Sequence, residues 1–422
     1  MLPLSLSDLP TDFRARALRW AAGHMHCVYC EPNDLPYPGG PGERLLAVAE
    51  APVAATSLAE VEDLRRQAGG PLFGFVTYEL KNELEALHSG NATGLAWPTL
   101  HFFAPTAWLR WRASHLEVHA PDPAATLAAV LATPVPPPVG VAVPPLQARL
   151  PRPAYLQAVE AVRQDIRAGE VYELNLCQEF FAEGVALDPV ATFERLNVAS
   201  PAPFAGFVRW HDHYLLCASP ERFLTHRHGV ITSQPIKGTR RRGADPAADE
   251  QQRLALLHDE KERAENLMIV DLVRNDLARV ACPGTVRVPE LFGTYGFRHV
   301  WQLISTVQAD LPPRTSLPAV LRATFPMGSM TGAPKIRAMQ LIEHYEQHRR
   351  GLFSGSFGVL WPGGDFDFNV VIRSLQYRAA TGYASLQVGS AITYDSVPEQ
   401  EYAECLVKAQ GVLEALGTVI SG

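Results

Sequence analysis

Several residues in this chain have the types and spacing to do chemistry together. Lys237 stands in SQPIKGTRRRG (233–243), between an apolar strand-like run and a Gly-Thr turn. Lysine is rarely buried without a partner, so a surface position is the ordinary reading. Drawn into a site, its amine would lose charge by desolvation and could act as a nucleophile. Glu262 and Glu265 lie three apart in EKERAENLMIVDLVRND. Glu401 and Glu404 repeat that spacing in EQEYAECLVKA, with Lys408 one turn further on. On a helix this spacing puts both carboxylates of a pair on one side. One such pair is ordinarily a solvated face. Two pairs on helices that are otherwise apolar can converge, and converging carboxylates need a cation. Hard oxygen donors with open water positions suit Mg²⁺. A di-iron bundle would want Glu-x-x-His pairs, and the sequence has none.

Two small-residue loops add anion-binding potential. FPMGSMTGAPKIRAM places Gly328, Ser329, Thr331, Gly332 and Ala333 before a helix expected to start near Pro334. It lacks the GxxxxGK[ST] pattern of a phosphate loop, yet helix N-termini and tight turns present N–H groups that bind anions. In VGSAITYDS, Gly389 and Ser390 allow close backbone approach after a strand. Arg373 in NVVIRSL is expected inside an apolar strand, where its guanidinium needs a partner such as a carboxylate held by two hydrogen bonds. Together these features sketch a site for a small carboxylated substrate beside a magnesium ion.

The elements that must position these groups come next. The 422 residues suffice for two domains or one large one, and 47% hydrophobic with 19% charged residues describes an ordinary soluble globular enzyme. A net charge of −7 argues against sequence-independent nucleic-acid binding. MLPLSLSDLPTDF has no basic region followed by an apolar core, and no run is long enough to span a bilayer, so a cytoplasmic location without membrane association is expected. Six scattered cysteines make no disulfide framework. HMHCVYC (24–30) could tempt a zinc reading, but a half-buried strand suits Met25, Val28 and Tyr29 better. Residues 134–153 are proline-rich and poor in charge, as befits an extended connector between an N-terminal portion (1–133) and a larger part (154–422). Strands are expected at LFGFVTYEL, TLHFFAP, Val171–Cys177, GFVRW, HYLLCA, VITSQPI, SGSFGVLW, FDFNVVIRSL and YASLQVGSAITY. Helices are expected in ATSLAEVEDLRRQA, across 249–281 and from about Pro398 to Leu416. The pattern predicts a large mixed α/β fold in which the early strands can join the same core.

From Tyr155 onward the chain resembles the chorismate-utilising enzymes, most closely their aminodeoxychorismate synthase branch. The likeness is carried by GEVYELNLCQ, SPERFL, PIKGT, ERAENLMIVDLVRND, GSMTGAPKIRAM, the stretch around Arg373, and EYAE. It implies the anthranilate synthase component I-like fold, two large packed β-sheets with helices outside. It also implies Mg²⁺ held by Glu265 and Glu404, with Glu262 and Glu401 reaching metal-bound water. Substrate carboxylates would be held by Arg373, Ser329 and the amides of Gly389, Ser390 and Ala391, with Thr239 and Lys408 also on the substrate side. Glu221 in SPERFL matches the acid that protonates the departing ring hydroxyl, a role that needs a raised pKa. The alternative for Glu221 is a structural salt bridge to Arg222 or another neighbour.

PIKGT marks the amination branch of that family. There the lysine matching Lys237 attacks the ring next to its carboxylate, and ammonia then displaces it at the position that bore the hydroxyl. Anthranilate synthases carry alanine at this position. Isochorismate and salicylate synthases instead place a water-activating lysine where this chain has Glu173, so that base is missing here. Gln302, in VWQLIS, replaces a histidine tied to pyruvate loss, and Ala391 departs from a glycine-rich loop. No cysteine lies in a glutaminase-like setting, so ammonia is expected from a separate glutamine amidotransferase subunit, and no fused lyase is expected to finish 4-aminobenzoate. Anthranilate synthesis and a non-catalytic chorismate-binding subunit are the alternatives.

Overall fold

The computed structural model describes residues 1–137, 143–298 and 300–421. Among them, twelve strands form one antiparallel sheet and ten form a second. The first sheet runs from Leu2–Ser5 at one edge, through His26–Glu31, Phe204–Trp210, His213–Ser219, Ser374–Arg378 and Tyr383–Ile392, to Glu173–Ala182 near the other. The second runs from Ile236–Arg241 and Val300–Asp310, through Arg222–Arg227, Phe366–Asn369 and Ser356–Leu360, to Leu72–Val76 and Leu100–Phe103. Strands from before and after the proline-rich stretch therefore share both sheets. Within that stretch, residues 138–142 lie outside the described residues, while Gln147–Ala148 pairs with Phe180 and Phe181.

The sheets pack face to face because each strand alternates its side chains between two faces and both inner faces are apolar. Val28, Leu45, Ala47, Val208 and Leu215 of the first sheet meet Phe73, Phe75, Phe103, Phe357 and Val359 of the second. Helices cover the outer faces. Phe13–Ala22, Arg152–Arg167, Pro189–Ala199 and Pro398–Leu416 bury Leu18, Val159, Phe193 and Val412 against the first sheet. Leu58–Ala68, Glu260–Ala278 and Leu317–Thr324 bury Val61, Ile269 and Val320 against the second. This is the expected pair of packed sheets with helices outside. No helix among the described residues is long and apolar enough to cross a membrane.

HMHCVYC forms the expected strand, His26–Glu31. Cys27 packs into the outer core and Cys30 against the inner one, the opposite faces that an odd spacing on a strand requires, so the two thiols do not converge. Two expectations need correction. The region 249–281 is two helices, Pro246–Leu257 and Glu260–Ala278, because the Asp259 side chain accepts from the Glu262 N–H at 3.1 Å and starts a new helix. FDFNVVIRSL is two strands rather than one: Phe366–Asn369 belongs to the second sheet and Ser374–Arg378 to the first. Arg373 lies in the crossover between them, with φ at +51°.

Candidate active site

The chain switches sheets at two places that sit side by side. Between His213–Ser219 and Arg222–Arg227, the crossover carries Pro220 and Glu221; between Phe366–Asn369 and Ser374–Arg378, it carries Arg373. The two crossovers are tied together, since Val370 N–H donates to the Glu221 carbonyl at 3.0 Å and Ala218 N–H to the Arg373 carbonyl at 3.1 Å. Beside them opens a cavity of about 360 Å³. Lys237, Thr239, Glu221, Ser329, Arg373, Gly389, Ala391, Lys408 and all four glutamates of the two ExxE pairs line it. Residues distant in sequence thus meet at one junction of the sheets.

Lys237 reaches the cavity through a β-bulge. The strand Ile236–Arg241 pairs Ile236 with Ile304 and Thr239 with Gln302, so three steps on one strand match two on the other. Such a bulge re-aims a side chain. Gly238 takes the bend at φ +98°, and a Cβ there would come within 3.2 Å of a Glu262 carboxylate oxygen. The Lys237 ammonium donates to Glu173 Oε1 at 2.7 Å. Glu173 opens the strand Glu173–Ala182, on the opposite sheet from Lys237. Burial alone would lower the lysine's pKa, but Glu173, with Glu265 and Glu404 beyond, raises it above its ordinary value.

Glu221 is buried. Its Oε1 accepts from the Ser329 hydroxyl at 2.8 Å. Burial pushes its pKa up to about 7, partly offset by the Ser329 hydrogen bond and by Lys237. The salt-bridge alternative does not hold. Arg222 turns instead to Asp367 at 2.9 Å and to Gln234 at 2.8 Å. Ser329 is fixed by a short helical turn, Gly328–Met330, whose carbonyl at Ser329 accepts from Asn175 Nδ2 at 2.8 Å.

Glu262 and Glu401 sit in the first turns of two helices whose N-termini face the cavity, where the helix dipole favours negative charge, and Glu265 and Glu404 follow one turn further on. Their electrostatics differ. Burial raises Glu265 to about 7, with Lys237 opposing, and burial together with the Asp259 charge raises Glu262. Partial burial would raise Glu404 as well, but Lys408 at 2.5 Å outweighs it and holds that carboxyl below its usual range. Among the described residues, no three acidic, His or Cys side chains are gathered into a ready-made metal cage. In donor chemistry the four carboxylates fit a hard divalent cation, whose charge would relieve the mutual repulsion within the pair on Glu260–Ala278.

Two of the expected residues have side-chain contacts outside the cavity as well. Ser390 points away from the cavity, its hydroxyl 3.1 Å from the Tyr155 hydroxyl under the helix Arg152–Arg167, as strand alternation between Gly389 and Ala391 requires. Lys408 ties its helix to the sheet, donating to the Gly389 carbonyl at 2.8 Å as well as to Glu404. Gly389 itself has no room for a side chain, since a Cβ would collide with the Cys177 sulfur. The Arg373 guanidinium donates to no described residue and borders the cavity, an arrangement suited to an anion from outside. Sequence reasoning missed Lys261 and Arg241, which also line the cavity, and saw in Glu173 only an absent lysine. Their charges carry no motif of their own; only the folded neighbourhood marks them.

The sequence matches the chorismate binding enzyme family over residues 32–414. The chain belongs to that family. It is 44% identical over 272 residues to aminodeoxychorismate synthase component 1 of Salmonella typhimurium, a match covering 64% of this chain and 59% of that protein. Identity to the Escherichia coli protein of the same name is 42% over 270 residues, again 64% of this chain and 59% of the relative. Anthranilate synthase component 1 of Thermus thermophilus is 40% identical over 276 residues, 65% of this chain and 59% of that protein. These matches span less than two thirds of each relative's length. Among solved structures, anthranilate synthase component I from Streptococcus pneumoniae superposes with a TM-score of 0.74 at 27% identity, covering 97% of this chain and 91% of that one. The menaquinone-specific isochorismate synthase of Escherichia coli gives a TM-score of 0.80 at 19% identity over 98% of this chain and 93% of that one, a likeness of fold. Family membership and fold agree with the resemblance read from the motifs.

Proposed function

We propose that this chain aminates chorismate to 4-amino-4-deoxychorismate through a covalent adduct on Lys237. Relatives named aminodeoxychorismate synthase component 1 support amination. The observation that carries the covalent route is Lys237 itself, bulged into a cavity that it shares with a neutralisable acid, Glu221, and with paired glutamates. In this reading Glu265 and Glu404 hold Mg²⁺, and Glu262 and Glu401 act through its water. When bound, the ion supplies a fixed positive charge for the substrate's ring carboxylate. Arg373, Ser329 and the backbone near Gly389 and Ala391 hold the remaining carboxylate and orient the ring. Glu221, protonated near neutrality, gives its proton to the departing hydroxyl. Ammonia reaches the site from a separate glutamine amidotransferase subunit, the enzyme works in the cytoplasm, and the residues of 154–422 carry the chemistry.

The test is to incubate the protein with chorismate, Mg²⁺ and ammonium at mildly alkaline pH and resolve products by mass, for the intact chain and Lys237→Ala. Aminodeoxychorismate from the intact chain, lost by more than about 10³-fold in the variant, is the expected result. Anthranilate and pyruvate from both would sink it in favour of anthranilate synthesis.

A further inference from the structure

The amine of Lys237 must shed a proton before it can form a bond to carbon. Among the described residues its one hydrogen-bond acceptor is Glu173, at 2.7 Å. The carboxylate lies on the other sheet, is 1% exposed, and keeps its second oxygen, Oε2, buried with no hydrogen-bond partner. A buried acceptor left unmade is rare and asks for an explanation. A structural ion pair in such a place would ordinarily be saturated, because each unpaired charged group is costly in a low dielectric. An unsaturated one can discharge itself: moving one proton from nitrogen to oxygen removes both charges together and leaves a free amine beside a neutral acid.

We infer that Glu173 is the proton acceptor that frees the Lys237 amine for attack. This rests on the reading of Lys237 as the nucleophile. The first step then balances as follows. One proton passes from Lys237 Nζ to Glu173. The nitrogen lone pair forms the C–N bond as the ring's two conjugated double bonds both shift, and the C–O bond to the hydroxyl breaks. That oxygen keeps the electron pair, takes the Glu221 proton and leaves as water. The adduct carries a secondary ammonium, with Glu173 neutral and Glu221 ionised. When ammonia forms its own C–N bond, the bond to Lys237 breaks and its electron pair returns to Nζ, which takes back the proton from Glu173. The new ammonium on the product gives one proton to Glu221, and every group is restored.

The position suits this role alone among the nearby acids. The charged groups whose fields reach Lys237 are Glu173, Glu265 and Glu404, and Lys237 in turn acts on Glu221 and Glu262. Glu221 must stay protonated until the hydroxyl departs, and the carboxylates on the two helices are the proposed metal donors. Glu173 is the acid in hydrogen-bond contact with the reacting nitrogen and free of either duty.

The experiment measures kcat and the KM for chorismate from pH 6 to 9, with free ammonia held constant, for the intact chain, Glu173→Gln, Glu173→Asp and Lys237→Ala. Glu173→Gln should lower kcat on the order of 10²-fold at neutral pH, the usual size of a general-base contribution, while KM stays within about threefold. Its kcat relative to the intact chain should climb with pH as solvent hydroxide replaces the lost acceptor. Glu173→Asp should recover part of the loss, which also answers for any folding defect in the glutamine variant. An unchanged kcat with an unchanged pH profile in a folded Glu173→Gln would overturn the inference and leave Lys237 as nucleophile. Full turnover in Lys237→Ala would overturn both together.

Discussion

Two buried cation–carboxylate pairs grip the same strand, Glu173–Ala182, and they are built to opposite rules. Arg350 and Glu346 are 1% and 2% exposed and are saturated. Arg350 reaches both Glu346 oxygens at 2.7 and 3.0 Å, the Met330 and Asn175 carbonyls at 2.7 and 3.0 Å, and the Ser354 hydroxyl at 3.1 Å. Glu346 also accepts from the Cys177 N–H at 2.8 Å. The Lys237–Glu173 pair has one hydrogen bond, an orphaned oxygen and a cavity beside it. Guanidinium cannot be deprotonated in a protein and ammonium can. The saturated pair therefore clamps the strand to the Ser329 turn, and the unsaturated pair is free to move a proton.

That contrast can be broken by exchanging which pair is cut. Lys237→Ala should abolish turnover by more than about 10³-fold while stability in urea falls by only about 1–3 kcal/mol, because the pair it cuts holds a single hydrogen bond and borders a cavity. Arg350→Met should do the reverse. It strands Glu346 and two carbonyls in the interior and should cost about 3–5 kcal/mol by the same denaturation measurement. A stable, folded Arg350→Met would show that the clamp is dispensable.

Glu221 sharpens the same point through pH. Its pKa is raised from 4.5 to about 7, so the folded state holds a proton that the unfolded state releases. The sign follows from that excess: the contribution is full below about pH 4.5 and is lost as pH rises through about 7. Glu221→Gln should remove this slope from a series of unfolding curves taken between pH 5 and 8. The same variant should lower kcat on the order of 10²-fold and abolish the decline of kcat/KM above pH 7 expected of a general acid. The smallest effect belongs to Ser354→Ala, which takes one of five hydrogen bonds from Arg350. It should cost about 1 kcal/mol in Tm-derived stability and leave turnover unchanged.

Much of this architecture is legible in the chain. The ExxE spacings put Glu262 with Glu265 and Glu401 with Glu404, each pair on one helix, because helical periodicity is a local property. The final helix, Pro398–Leu416, begins with proline at its first turn and ends before Gly417 in the left-handed conformation, so its limits can be read from composition alone. Motifs such as PIKGT and SPERFL single out Lys237 and Glu221 before any fold is known. The break at Asp259 was readable in principle, since an aspartate ahead of Glu260 and Glu262 is a helix-start signal.

Other features exist only in three dimensions. Val370, Val371 and Ile372 continue the apolar run of FDFNVVIRSL, so nothing local reports that the chain leaves one sheet for the other and turns Arg373 to φ +51°. Ser390 and its neighbours Gly389 and Ala391 look alike as loop residues, and only the direction of the strand sends one toward Tyr155 and two toward the cavity. Glu173 is the clearest case. In sequence it is 64 residues from Lys237 and reads as a base that is absent. A hydrogen bond between two sheets depends on register, the bulge at Gly238 and the packing of both sheets at once. The chemical identities of the site were thus fixed by local sequence, and their pairing was decided by tertiary structure, because proton transfer acts over a few ångströms of space rather than along the chain.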